Sequence, residues 1–312
     1  MPVKDTTARL DATEFVDSLQ IGLILLSLAL AFLLPLELLL FSYGILGPAH
    51  YLTQISWLND RGFFTPARWV AIPFALLSLL IVMKWLAAPV DFMALAICLA
   101  LAAALLRGPV KILAATGAGF GLLYLVGLAL DYSTLLLFVP TLIHVFVFTA
   151  GFMLLGALRA RSRPGHIAFA LLLGAGAICL IVPGRIFFPI SDYARINIGY
   201  IDQIFLRFVQ TFHSEATPDG ILQAARFAAF AYTYHYLNWF SKTKVIGWSK
   251  GIDRRRLAGF VALYVLAVGV YLYDYGLGFQ LLLFMSILHV MLELPLNVIC
   301  FREIGGFLRR GG

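Results

Sequence analysis

Charge is scarce in this chain. Only 12% of its 312 residues are Asp, Glu, Lys or Arg, about half the roughly 25% usual in a soluble domain. With 62% of residues in the AVILMFWYC set, a core of this length has no room for the apolar surface, and a water-soluble globular protein is excluded. Disorder is excluded too, since its signature is low hydrophobicity with high charge. Cysteine is sparse as well. Cys98, Cys179 and Cys300 each lie inside an apolar stretch without CxxC spacing, so neither a disulfide framework nor a cysteine zinc or redox site is expected. A basic leader is missing, because Lys4 and Arg9 stand among Asp5, Asp11, Glu14 and Asp17, which argues against a signal peptide.

Several catalytic signatures are also missing. There is no HExxH, no P-loop and no GxSxG, which sets aside zinc metalloprotease, nucleotide-dependent and nucleophile-elbow chemistry. The paired HxxxH and HxxHH boxes of membrane desaturases and the aspartate pairs of prenyltransferases are absent too.

What is present is a series of long apolar runs without alternation. Runs of roughly 17–25 residues match what a bilayer core of about 30 Å demands of helices. The fold expected is all-α, a polytopic transmembrane helical bundle. Ten spans are read, at about 19–35, 36–57, 67–87, 91–107, 109–130, 134–158, 166–183, 221–241, 257–274 and 278–301. Pro35 and Glu37 suggest a tight turn between the first two, although one long helix with a re-entrant piece also fits. Residues 1–18 form a polar cytoplasmic N-terminus, 19–304 a single membrane domain and 305–312 a C-terminal tail.

The net charge of +7 reads as topology, and no nucleic-acid partner is expected. With both termini cytoplasmic, 18 of the Lys and Arg residues fall inside and 5 outside, as the positive-inside rule requires. A bacterial inner membrane is the expected location. Within the long outer segment 184–220, Ile201, Ile204, Phe205, Phe208, Val209 and Phe212 share one helix face. That pattern is an amphipathic helix on the outer surface. It reads either as an anchor packed on the bundle or as a lid, with Phe205 and Phe208 at a lipid-side entrance.

Six histidines are present, and four lie within spans: His50, His144, His235 and His289. His166 and His213 fall at the interfaces. Ionisable residues inside a membrane are costly and usually face the bundle interior or a cavity. All four spans run from outside to inside, and the histidines come at about positions 14, 10, 14 and 11 from the outer ends. At 1.5 Å per residue the spread is about 6 Å, little more than one turn. One buried histidine is commonly interhelical glue; four at a shared depth point to a metal site. Neutral imidazole suits iron, zinc, copper and nickel, and iron(II) is the expected ion, with zinc or copper as alternatives. Glu293 follows His289 by four residues and shares its helix face, where it could accept an imidazole N–H. Glu293 and Tyr236 are the candidate catalytic side chains, while Tyr51, Gln54, Tyr234 and Asn238 flank the histidines.

The order of these segments resembles the Brp/Blh family of membrane β-carotene 15,15′-dioxygenases. Its G-x-P-H motif is similar to Gly47-Pro48-Ala49-His50, and its Ile-His motif to Ile143-His144. An aromatic-flanked histidine corresponds to Tyr234-His235-Tyr236, and a C-terminal histidine followed by apolar and acidic residues to His289-Val290-Met291-Leu292-Glu293. The likeness is one of order and spacing over about 250 residues. Trp239 stands where the family has a second histidine, and Gln54 or Thr53 and Phe148 to Ala150 where it has acidic residues. The resemblance implies a multi-span fold, histidine-held non-haem iron and a carotenoid or another apolar substrate.

The expected function is a membrane non-haem iron oxygenase acting on a bilayer-dissolved carotenoid, isoprenoid or other lipid. Three rivals stand beside it. They are a haem-binding redox protein, a transporter with a histidine proton relay, and a lipid acyltransferase that uses His235.

Overall fold

The computed structural model describes residues 3–83, 90–130, 136, 138–197, 209–210, 217–243, 245–248 and 252–310. Its regular elements are all helical, and no strand occurs among the described residues. Six of these helices are long and apolar enough to cross a membrane: Glu14–Leu33, Pro109–Leu128, Thr141–Ala160, Arg163–Ile181, Arg254–Tyr273 and Tyr275–Arg309. Two shorter apolar helices span Arg68–Met83 and Val90–Leu105. Large apolar side chains point outward along the spans, with Leu122, Leu125, Leu263 and Leu266 all more than half exposed. Histidine, glutamate, asparagine and glutamine lie inside. Apolar outside and polar within is the arrangement a lipid solvent selects.

Two compact units make up the chain, Met1–His50 with Val145–Ala262, and Tyr51–His144 with Leu263–Gly312. The helices are α1 (Val3–Leu33), α2 (Pro35–Phe41), α3 (Gly47–Asp60), α4 (Ala71–Met83), α5 (Val90–Leu105) and α6 (Pro109–Ala129). They continue with α7 (Thr149–Ala160), α8 (Arg163–Ile181), α9 (Asp192–Asn197), α10 (Pro218–Lys242), α11 (Arg254–Tyr273) and α12 (Tyr275–Arg309). Wider π-helical turns occupy Ser42–Leu46 and Val139–Phe148.

The first unit is built around α10, which packs on α1, α2 and α8. Every residue of α10 from Ala224 to Tyr236 is buried. Ala224, Ala225, Ala228, Ala229 and Ala231 let the neighbours approach closely, the usual device of membrane helices. Thr217 caps its start by accepting from the Gly220 N–H, as N-cap residues do. On α8, Gly176 fits because a Cβ there would collide with Phe146 and Phe227. Polar pairs tie the helices together: Tyr234 donates to Gln20, Gln20 donates to Ser241, and Ser42 bonds Thr233. Between α1 and α2 the backbone breaks at Leu34 (φ −138°, ψ 59°), with Pro35 opening α2. That matches the expected break, because proline is tolerated in a first helical turn and rejected from the middle of a helix.

Arg226 lies on the buried face of α10. A cation inside an apolar helix is costly, yet its side chain is only 2% exposed. Its guanidinium donates to the carbonyls of Val182 and Pro183 at 3.0 and 3.1 Å and lies 4.1 Å over the Phe32 ring. It satisfies acceptors just past the C-terminal end of α8, where the helix dipole favours a positive charge.

The second unit is built around α12, which packs on α4 and α5, while α5 packs on α6. Residues His289 to Pro295 of α12 are all buried. Asp274 caps the helix by accepting from the Leu277 N–H, and Gly278 permits a close approach to the Tyr271 backbone.

Candidate metal centre

Each unit sets two histidines against one another, one of them on its central buried helix. In the first unit, His50 follows the π-turn Ser42–Leu46 and Gly47-Pro48. The Gly47 N–H reaches back five residues to the Ser42 carbonyl, and this extra residue comes just before Pro48, whose missing N–H interrupts the ladder in any case. Such wide turns recur at functional sites. His50 Nε2 lies 3.0 Å from His235 Nε2, and the rings meet edge to face at 4.6 Å. His235 Nδ1 bonds Thr149 Oγ1 at 2.7 Å. Tyr236 and Trp239 stand 5.0 and 5.5 Å from the His50 ring, centroid to centroid.

In the second unit, His144 lies in the other π-helical stretch, whose backbone leaves helical geometry at Thr141 (φ −115°, ψ −105°). Its Nε2 lies 3.1 Å from His289 Nε2. Tyr51 stacks on the His289 ring at 4.6 Å with an interplanar angle of 28°. Glu293 Oε2 lies 3.8 Å from His144 Nε2 and accepts a hydrogen bond from Gln54 Nε2.

As a set, His50, His144, His235 and His289 each offer one ring nitrogen, and these nitrogens lie within 4.8 Å of one another. All four residues are buried. Four imidazole nitrogens at this spacing can hold a transition-metal ion. The depth argument from the sequence therefore selected four residues that do come together. His166 stands apart, exposed in the first turn of α8 with Nδ1 2.7 Å from the Ser162 carbonyl.

The flanking residues are arranged in ways the sequence did not specify. Glu293 was expected to accept an N–H from an imidazole; its Oε2 lies nearest His144 Nε2 and accepts from Gln54. Thr149 had no assigned role, because a threonine in an apolar run carries no signal beyond its hydroxyl. Trp239, which stands where the resembled family has histidine, lies against His50 as an aromatic wall. Phe205, Phe208, Phe212 and His213 lie outside the described residues.

Comparison with protein families, curated proteins and solved structures found no match to this chain.

Proposed function

We propose that the chain is an integral-membrane, histidine-ligated metalloenzyme, a non-haem iron oxygenase whose substrate is an apolar molecule dissolved in the bilayer. The observation that carries this reading is the group of four buried histidines within 4.8 Å. The His50–His235 and His144–His289 pairs, with nitrogens 3.0 and 3.1 Å apart, would hold the ion; imidazole donors suit iron, zinc and copper alike, and iron is the ion this reading takes. Zinc and copper are the alternatives. Bound there, iron(II) would supply the chemistry that activates dioxygen.

The chain's own residues then have distinct tasks. His50, His144, His235 and His289 would hold the ion, and Thr149 holds the His235 ring in its orientation through Nδ1. Glu293, backed by Gln54, is placed to hold a proton beside His144. Tyr236 closes the side next to His50 and carries a hydroxyl on an otherwise apolar wall. A distant relationship to the Brp/Blh dioxygenases belongs to the same proposal, with a carotenoid, isoprenoid or other lipid as substrate.

Ten spans with both termini cytoplasmic, in a bacterial inner membrane, complete the reading. α10 supports a count above six: at 25 residues it is about 37 Å long, enough to cross, although its tyrosines, histidine and asparagine lower its hydropathy. A substrate entering from lipid would pass the outer amphipathic segment at Phe205 and Phe208.

One observation favours a second reading. Nitrogens 3.0 and 3.1 Å apart also fit two N–H···N hydrogen bonds, as a proton relay would have. Haem is disfavoured, because a porphyrin between two axial imidazoles needs the space that the other two histidines fill.

Metal analysis of the purified chain separates these readings. The expected result is about one iron per chain without a Soret band, lowered by His→Ala at each of the four positions and unchanged in His166→Ala. Metal-free protein with intact folding would favour the relay. Lipid extracts from cells with active protein and with His144→Ala, compared by untargeted mass spectrometry with and without oxygen, test the substrate class. Differences confined to water-soluble metabolites would overturn the lipid assignment.

A further inference from the structure

The second unit holds buried polar atoms for which the metal reading has no use. Asn297 is 3% exposed, and neither its amide nitrogen nor its oxygen has a hydrogen-bond partner among the described residues. Gln54, also 3% exposed, donates its Nε2 to Glu293, while its Oε1 has no such partner. Asn297 follows Glu293 by four residues on α12, so the two share a face about 6 Å apart along the axis. Between them stands Pro295, which supplies no N–H to the carbonyl of Met291.

A membrane interior does not tolerate such groups unsatisfied. Proline-interrupted spans recover by side-chain hydroxyls, neighbouring helices or ordered water. A buried water needs two to four polar partners. The Asn297 amide and the Met291 carbonyl lie within two turns of α12, and Gln54 Oε1 on α3 is joined to that helix through Glu293; together they offer that number of partners. We infer that ordered water binds along α12 between the Gln54–Glu293 pair and Asn297. It forms a hydrated path from the buried histidines towards the polar C-terminal end at Arg302 and Glu303. The path carries water and protons to the buried His144–His289 pair. It goes beyond the metal proposal and does not depend on it.

Cys300 is the natural reporter. It lies three residues past Asn297 on the same face and is 2% exposed, whereas Cys98 in the same unit is 7% exposed. Hydroxyl radicals formed by an X-ray pulse label side chains beside bound water even when bulk solvent cannot reach them. The full chain, stripped of metal by chelator and held in lipid nanodiscs, is the sample. The expected result is several-fold more oxidation at Cys300 than at Cys98, falling to the Cys98 level in Asn297→Leu. Labelling of Cys300 no higher than that of Cys98 in the unaltered protein would overturn the inference. So would undiminished Cys300 labelling in a folded Asn297→Leu protein. If that variant does not fold, the ratio in the unaltered protein decides alone.

Discussion

Thr149 and His50 divide the two ring nitrogens of His235 between them. The threonine Oγ1 lies 2.7 Å from Nδ1, and Nε2 lies 3.0 Å from the Nε2 of His50. A hydrogen bond at one imidazole nitrogen sets the tautomer and aims the other. Here it orients Nε2 towards His50.

Thr149→Val should therefore weaken metal binding by about 10–100-fold without removing a ligand. Thr149→Ser, which keeps the hydroxyl, should stay near the unaltered affinity. Chelator competition on the purified variants measures both. Equal affinity in Val and Ser variants would mean that packing alone holds the ring.

Glu293→Gln should keep full metal content and lose oxygen-dependent turnover, because its nearest oxygen is 3.8 Å from a histidine nitrogen and bonded to Gln54. Iron content and turnover measured on one preparation provide the check. Loss of the ion in that variant would make the carboxylate a ligand.

Arg226→Leu should destabilise the first unit by roughly 3 kcal/mol, since two part-buried hydrogen bonds from a charged donor to the Val182 and Pro183 carbonyls disappear. Arg226→Lys should recover part of that loss, because an ammonium keeps the charge but not the two-pronged geometry. Thermal unfolding in detergent, followed by tryptophan fluorescence, measures the order Arg, Lys, Leu. An unchanged midpoint in the leucine variant would show that the end of α8 does not need the cation.

The distribution of basic residues fixes the expected topology. In a cysteine-free background, a cysteine at Ser249 should resist an impermeant thiol reagent applied from outside. One at Ser214 should react. Both positions lie outside the described residues, so labelling of intact cells is the measurement. The reverse pattern would overturn the orientation and the depth comparison built on it.

How far the site was legible depends on the kind of signal each residue carries. His50, His144, His235 and His289 stood out because a titratable ring in an apolar run is expensive, and a shared depth is countable at a fixed rise per residue. Gln54 was visible as a polar residue one turn from His50, yet its bond to Glu293 joins positions 239 residues apart. Thr149 was invisible, because threonine satisfies itself within helices and often needs no partner. The wide turns before His50 and around His144 had only Pro48 and Pro140 as hints, since proline marks a broken ladder without saying how the backbone closes it.

The sequence by itself determined that this chain is helical and built for lipid, because 62% apolar content with 12% charge leaves no other solvent for its surface. It also determined which rings could meet, because helix rise turns position into depth. Only the tertiary structure decided the pairing: His50 with His235, His144 with His289, Glu293 beside His144, and Arg226 on the carbonyls of Val182 and Pro183. Depth is a coordinate along one axis. Which helix faces turn towards one another is set by how small residues such as the alanines of α10 let backbones approach, and that is a property of the packed bundle.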